Sequence, residues 1–270
     1  MSSFRKTIFV WISVFIIIGF FSILPFLIRA NSMPEIGIDP QSSETKPSAR
    51  FGYKVLEAIT KKHHPYNSAA NLEVRSYLID TLKEIQHQFQ SQWKCSQPDP
   101  FEFIQDDIYM KSSLNNYTAL YESNNVLFSI AGAKKESLLI SAHFDSAIES
   151  YGATDDGIAV ASMVAVIQSL ARNVCQRQLS YSLIFNFNNG EEINLQGASA
   201  FTLHPYYKNV KAFINLEGTG VSQEFSSFLF RTNSFKLVSL LMKDAPSPHS
   251  SIIANNIMRF LKRFTLVLVS

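Results

Sequence analysis

The sequence predicts an α/β domain with a mostly parallel sheet and helices on both faces, preceded by one transmembrane helix. Strand-like and helix-like segments alternate from residue 137 to residue 243, which is the pattern of a sheet layered with helices. The helical segment 158–171 is apolar almost all round, as expected of a helix buried on most sides. The stretch 8–28 carries no charge. At about 1.5 Å per residue it is long enough to cross a hydrocarbon core of about 30 Å.

That stretch exceeds the apolar region of about 7–15 residues found in secretory signals, and no small-residue cleavage pattern follows it, so it reads as an uncleaved anchor. Arg5 and Lys6 precede it and Arg29 follows. This favours residues 1–7 as a cytoplasmic tail, with the remainder of the chain in a lumen or outside. Residues 29–48 are rich in proline and serine without apolar period, as in a linker. Phe51, Val55 and Ile59, then Leu72, Leu78, Leu82 and Ile85, recur at near-helical spacing. They predict two amphipathic helices, the second ending near residue 90. Between them, His63 and His64 read as a solvated helix end, because adjacent side chains on a helix point about 100° apart. Strands are expected over 101–110, 117–121, 125–131 and 138–142, with 132–135 as a turn joining the last two. Downstream come a strand over 179–187, a helix over 196–203, strands over 210–216 and 228–230, and a helix over 235–243.

Composition narrows the function classes. With 46% hydrophobic and 17% charged residues the chain is globular rather than disordered. A net charge of +2 and the lack of a basic tract leave no nucleic-acid footprint. Asn116-Tyr117-Thr118 is a glycosylation sequon, and Cys95 with Cys175 allow one disulfide. Both suit a lumenal domain, although two cysteines equally suit separate buried thiols.

Four motifs carry candidate chemistry. An apolar run from Ser137 stops at His143 and Asp145, whose i, i+2 spacing sends both side chains off the strand on one side. Alone, such a pair is most often a core strand followed by a polar turn. Asp155 and Asp156 precede the apolar helix; one aspartate would serve as an N-cap, and two exceed that need. Asn189-Gly190-Glu191-Glu192 follows a core strand, where one carboxylate could ligate a metal while its neighbour acts as general base. Asn215-Leu216-Glu217-Gly218 places a further carboxylate at the next strand end. Ligands of open α/β sheets bind outside the carboxyl ends of the strands. One imidazole and several carboxylates gathered there form the donor set of a zinc hydrolase.

His143-Phe144-Asp145-Ser146, Asn189 to Glu192 with Leu195-Gln196, and Phe213-Ile214-Asn215-Leu216-Glu217 together resemble the zinc aminopeptidase family of the aminopeptidase Y and leucyl aminopeptidase type. The likeness covers residues 50–255. Within that family the anchored endoplasmic reticulum metallopeptidase (Fxna-like) group is most similar. The resemblance implies a lumenal peptidase domain over 49–257 at the endoplasmic reticulum membrane, a divergent tail over 258–270, and a peptide or protein substrate. It implies two zinc ions, with His143 and Glu217 on the first, Asp155 bridging and Glu192 on the second. Glu191 would be the general base, Asp145 would orient the imidazole, and Asp156 would cap its helix. The family's second zinc also takes a histidine from a Tyr-His-Thr-like segment after the Glu217 position. His204 and His249 lack that context, so the expectation is a C-terminally truncated product with a weak second zinc and low or no activity. Two rival readings share the fold: a single-zinc glutaminyl cyclase, which has a similar Gly-Ala-Thr-Asp segment, and a non-catalytic lumenal binding module. The Asn215-Leu216-Glu217 motif and the Leu-Gln-x-Ala-Ser run at 195–199 favour the peptidase.

Overall fold

The computed structural model describes residues 8–21, 47–92, 99–114, 117–174 and 177–218, together with Lys236, Ser239, Leu240 and Lys243. The chain divides into two compact units, Ile38–Val221 on one hand and Met1–Gly37 with Ser222–Ser270 on the other. In the latter unit, helix α1 (residues 8–21) exposes apolar side chains including Phe9, Trp11 and Phe15. Among the described residues no helix is long and apolar enough to cross a membrane, and residues 22–28 of the expected anchor lie outside them. Lys236, Ser239, Leu240 and Lys243 are helical, as expected over 235–243. The expected strand 228–230, the linker up to residue 46, Asn116, both cysteines, His249 and the tail 258–270 lie outside the described residues.

Within Ile38–Val221 the elements are α2 (Pro47–Ile59), α3 (Ala69–Gln92), β1 (Phe101–Ile104), β2 (Tyr109–Leu114), β3 (Tyr117–Glu122), β4 (Val126–Ile130) and β5 (Lys134–His143). After a π-helical turn at Ala153–Gly157 come α4 (Ile158–Val174), β6 (Tyr181–Asn188), α5 (Gln196–Leu203), a 3-10 turn at Pro205–Asn209 and β7 (Val210–Asn215). Five strands form one sheet in the order β1-β4-β6-β5-β7, and β2 and β3 pair separately as an antiparallel ribbon.

The sheet is mixed rather than mostly parallel. β5 runs parallel to β6 and β7, whereas β4 is antiparallel to both β6 and β1. β4 and β5 are adjacent in sequence, yet β6 lies between them in space. The connection passes through Gly132, where a Cβ would collide with the Tyr181 backbone, so the close approach requires glycine. The expected strand 101–110 is interrupted. Asp106 between β1 and β2 turns its carboxylate onto the Ser123 hydroxyl, which ends the ladder and starts the ribbon.

Side chains alternate between two apolar layers. Phe128, Phe185 and Phe187 pack with Val55 and Ile59 of α2, Leu78, Leu82 and Ile85 of α3, and Val160, Met163, Val164 and Ile167 of α4. Their sheet neighbours Leu127, Leu139 and Ile184 face the other way and pack with Phe201 of α5. This period-2 division is why both faces need helices, and each fully buried side chain of this size contributes roughly 1.5–3 kcal/mol. At the edge strand β7, Phe213 and Ile214 are exposed.

Candidate metal centre

Three parallel strands end together. His143, the last residue of β5, is in register with Asn188, the last of β6. Ser141 is in register with Asn215, the last of β7, and the Leu216 amide donates to the Ser141 carbonyl at 2.8 Å, carrying that pairing one residue further. Glu191 and Glu192 follow β6, and Glu217 follows β7, so all three leave the sheet at the edge where His143 ends. Gly218 then passes so close to the Thr154 carbonyl that a Cβ could not be accommodated, which sets Glu217 beside the segment bearing Asp155 and Asp156.

His143 is buried, and its two ring nitrogens have separate tasks. Nδ1 lies 2.9 Å from the backbone carbonyl oxygen of Asp145 and 3.5 Å from its Oδ1. Donation from Nδ1 to that carbonyl leaves Nε2 as the nitrogen free to ligate. Nε2 is 3.0 Å from Asp155 Oδ1, 3.4 Å from Glu217 Oε1 and 4.0 Å from Glu191 Oε2. Asp145 is also buried, and its two oxygens accept the backbone N–H groups of Glu191 at 3.1 Å and Glu192 at 3.2 Å.

The environment shifts the titration of these groups. Burial opposes charge on His143, but the hydrogen-bonded carboxylates of Asp145 and Glu217, with Asp156 nearby, push its pKa up to about 12. Burial also works to raise Asp145; the adjacent imidazole and the two amides outweigh it and hold that carboxyl below its ordinary value. Glu191 is raised, first by burial and then by the charges of Glu217, Glu192 and Asp145. Glu192 is raised by burial and by Asp155.

Two sequence expectations are corrected here. Asp156 does not serve as a helix cap: Oδ2 accepts the His143 amide at 3.3 Å, and Oδ1 is buried without a hydrogen-bond partner. Desolvation pushes its pKa up to about 8. His143, Asp156 and Glu217 each offer a ligand atom within 4.8 Å of the others, so Asp156 joins Asp155 in the cluster. The surplus of two aspartates over one cap was the sequence signal for this. His64, expected to be solvated, is buried: its amide donates to Ser146 Oγ at 3.0 Å, and its carbonyl accepts from the Ser146 amide at 3.2 Å.

His143, Asp145, Asp155, Glu191 and Glu217 come together, and Glu192 lies at the exposed rim of the same cluster, where its carboxylate accepts from the Ala147 backbone and feels the charges of Asp155 and His143. A supporting network was not anticipated. Asn71 and Asn189 exchange side-chain amide hydrogen bonds at 3.0 Å in both directions. Asn125 Oδ1 accepts the Asn189 amide at 2.9 Å, and the Tyr121 hydroxyl donates to the Asn189 carbonyl at 2.6 Å. These bonds fix the backbone immediately before Glu191.

The donors fit a zinc ion. One imidazole nitrogen and several carboxylate oxygens converge, and the orphaned, buried Asp156 Oδ1 is an acceptor that a cation would satisfy. A sheet that presents this set at the carboxyl ends of parallel strands has the donor arrangement that metal-dependent hydrolases use. Residues 125–263 match Peptidase family M28, and the chain belongs to that family. It is 33% identical over 251 residues to the vacuolar membrane protease of Candida glabrata, covering 90% of this chain and 26% of that protein. The chain thus spans about a quarter of the length of that relative. LapB from Legionella pneumophila superposes with a TM-score of 0.52 at 18% identity, covering 80% of this chain and 56% of that one. A Porphyromonas gingivalis glutaminyl cyclase superposes with a TM-score of 0.53 at 15% identity, covering 79% of each chain. At these identities the two structures report the shared fold.

Proposed function

We propose that residues 49–257 form the lumenal catalytic domain of a membrane-anchored zinc exopeptidase of the aminopeptidase type, acting on peptides or proteins. The observation that carries this reading is the approach of Asp155, Glu217 and Glu191 oxygens to within 3.0–4.0 Å of His143 Nε2. His143, Asp155 and Glu217 would hold the first ion, with Asp156 beside them. Zinc bound there would polarise the scissile carbonyl and lower the pKa of a water molecule.

The protein's own groups divide the remaining work. Glu191 accepts the proton of the attacking water, and its raised pKa suits a group that must take up and then return a proton. Asp145 orients the imidazole through Nδ1, and its carboxylate holds the backbone of Glu191 and Glu192. A second ion would rest on Asp155 and Glu192, whose carboxylates lie close enough to repel each other. Hydrolysis of aminoacyl amides by the purified chain, compared with Glu191→Gln, tests the assignment. Turnover that survives Glu191→Gln at the parental rate would remove Glu191 from its role. Cyclisation of a peptide with N-terminal glutamine separates this reading from the cyclase.

The uncharged stretch 8–28 supports an anchor in a membrane-bound compartment. Between the endoplasmic reticulum implied by the Fxna-like resemblance and the vacuole in the relative's name, 33% identity over 90% of the chain favours the vacuolar membrane. Fractionation of tagged protein against markers of both compartments distinguishes them.

A further inference from the structure

Tyr121 of β3 is buried at 4% exposure, yet it packs into neither apolar layer. The β2–β3 ribbon that carries it is two-stranded, and such a ribbon is marginal by itself, so its place depends on the ties at its base. Ser123, just beyond β3, bonds to Asp106 through its hydroxyl and to the Ile108 carbonyl through its amide at 2.8 Å. The Tyr66 hydroxyl donates to the Glu122 carbonyl at 3.0 Å, and the Tyr66 ring stacks on Tyr121 with centroids 5.2 Å apart. A further tie leads to the metal centre, where the Tyr121 hydroxyl donates to the Asn189 carbonyl at 2.6 Å.

The chain beyond Asn189 is a turn closed on itself. The Gln196 amide donates to the Gly190 carbonyl at 2.9 Å, and the Leu195 amide to the Glu191 carbonyl at 2.8 Å. Asp145 receives the Glu191 and Glu192 amides on one side of this turn. On the other side, Asn71 and Asn125 hold the side chain and amide of Asn189. Those bonds act before Gly190, where the backbone takes φ +83°. Glycine is the most freely rotating residue, so they alone transmit little to Glu191. Tyr121 spans this joint. Its hydroxyl holds the Asn189 carbonyl, and its Cε2, with Cδ2 of Tyr66 and Cγ1 of Ile193, lies 3.1–3.3 Å from where a Cβ on Gly190 would stand.

We propose that the β2–β3 ribbon positions the Glu191 turn, with Tyr121 as the positioning residue that locks the joint at Gly190 opposite the grip of Asp145. Loss of the Tyr121 hydroxyl frees the turn to tilt and takes the Glu191 carboxylate from its place 4.0 Å from His143 Nε2. This role rests on the peptidase reading, in which Glu191 is the general base.

Tyr121→Phe removes the hydroxyl and keeps the ring against Tyr66 and Gly190. Amide hydrogen exchange is measured on the full chain in detergent, without substrate. The Glu191 and Glu192 amides should exchange about tenfold faster or more, as for loss of one buried hydrogen bond, while the Phe185 and Phe187 amides of β6 keep the parental rate. Turnover of aminoacyl amides should fall about tenfold in kcat, the effect of a misplaced group, with KM and zinc content unchanged. Should the variant fail to fold, the parental chain decides: at low urea its Glu191 and Glu192 amides should open together with those of β3 and before those of β6. Unchanged exchange at Glu191 and Glu192 in Tyr121→Phe, an equal rise along β6, an unaltered kcat, or opening of the two amides only with β6 in the parent would overturn the proposal. A parental chain without turnover refutes the peptidase reading alone, and exchange then decides whether Tyr121 holds the turn.

Discussion

Asp145 Oδ1 accepts the backbone N–H of Glu191 at 3.1 Å and lies 3.5 Å from Nδ1 of His143, while its Oδ2 accepts the N–H of Glu192 at 3.2 Å. One buried residue therefore sets both the tautomer of the histidine at the end of β5, through its backbone carbonyl with the carboxylate close behind, and the position of the glutamates after β6, through its carboxylate. Replacing it by asparagine substitutes an NH2 group for one acceptor oxygen. Asp145→Asn should lower zinc affinity or turnover about 10- to 100-fold, in line with losses of ligand-orienting partners. Zinc titration and steady-state kinetics on the folded variant measure this, and an unchanged value for both would contradict the dual role.

Glu191→Gln keeps the size of the side chain and removes its basicity. Turnover of aminoacyl amides should fall by about 10²- to 10⁴-fold, the range of a lost general base, while zinc content stays at the parental level. Loss of zinc together with activity would make Glu191 a ligand instead.

Metal removal should lower thermal stability. A ligand at 100 times its Kd stabilises the native state by about 2.7 kcal/mol, which corresponds to a fall in Tm of roughly 5–10 °C on stripping a domain of this size. Differential scanning fluorimetry with EDTA, then with zinc restored, checks both the fall and its reversal.

Zinc uptake should also depend on pH. In the metal-free chain His143, at about 12, and Asp156, at about 8, both hold protons at neutral pH. Metal must displace these protons, so its apparent affinity rises with pH. Between pH 6 and 8 the rise should be at least about tenfold per unit, because one proton displaced gives one decade per unit. A flat profile would show that these groups do not bind the metal.

The asparagine network should matter chiefly for stability. Asn71→Ala leaves the Asn189 side chain without its reciprocal partner in a buried setting. The cost should be about 1–3 kcal/mol, that of an orphaned buried polar group. Urea unfolding measures it directly.

Much of the centre is legible in the sequence because its chemistry is local. Apolar runs that stop at His143, Asn188 and Asn215 announce three strand ends, and the polar residues just beyond them occupy that shared edge. The helix 196–203 and the start of α4 at Ile158 also follow from local pattern. Strand order is different. β6 sits between β4 and β5 through pairings remote in sequence, and hydrophobic period does not encode which neighbour a strand chooses. Burial of His64 depends likewise on Ser146, and Asp156 turns to the His143 amide across a gap that only the fold closes. Glu191 and Glu192 are chemically alike, and that Glu191 is half-buried while Glu192 is exposed is a matter of how the fold seats the turn after β6, which the sequence does not encode locally.

The most direct test of a zinc site built on His143 is native mass spectrometry of the purified chain and of His143→Ala, paired with aminoacyl-amide hydrolysis. The account predicts at least one zinc per parental chain, its loss from the folded variant, and loss of whatever turnover the parent shows. A parental chain that binds no zinc, or a variant that retains it in full, would contradict the account.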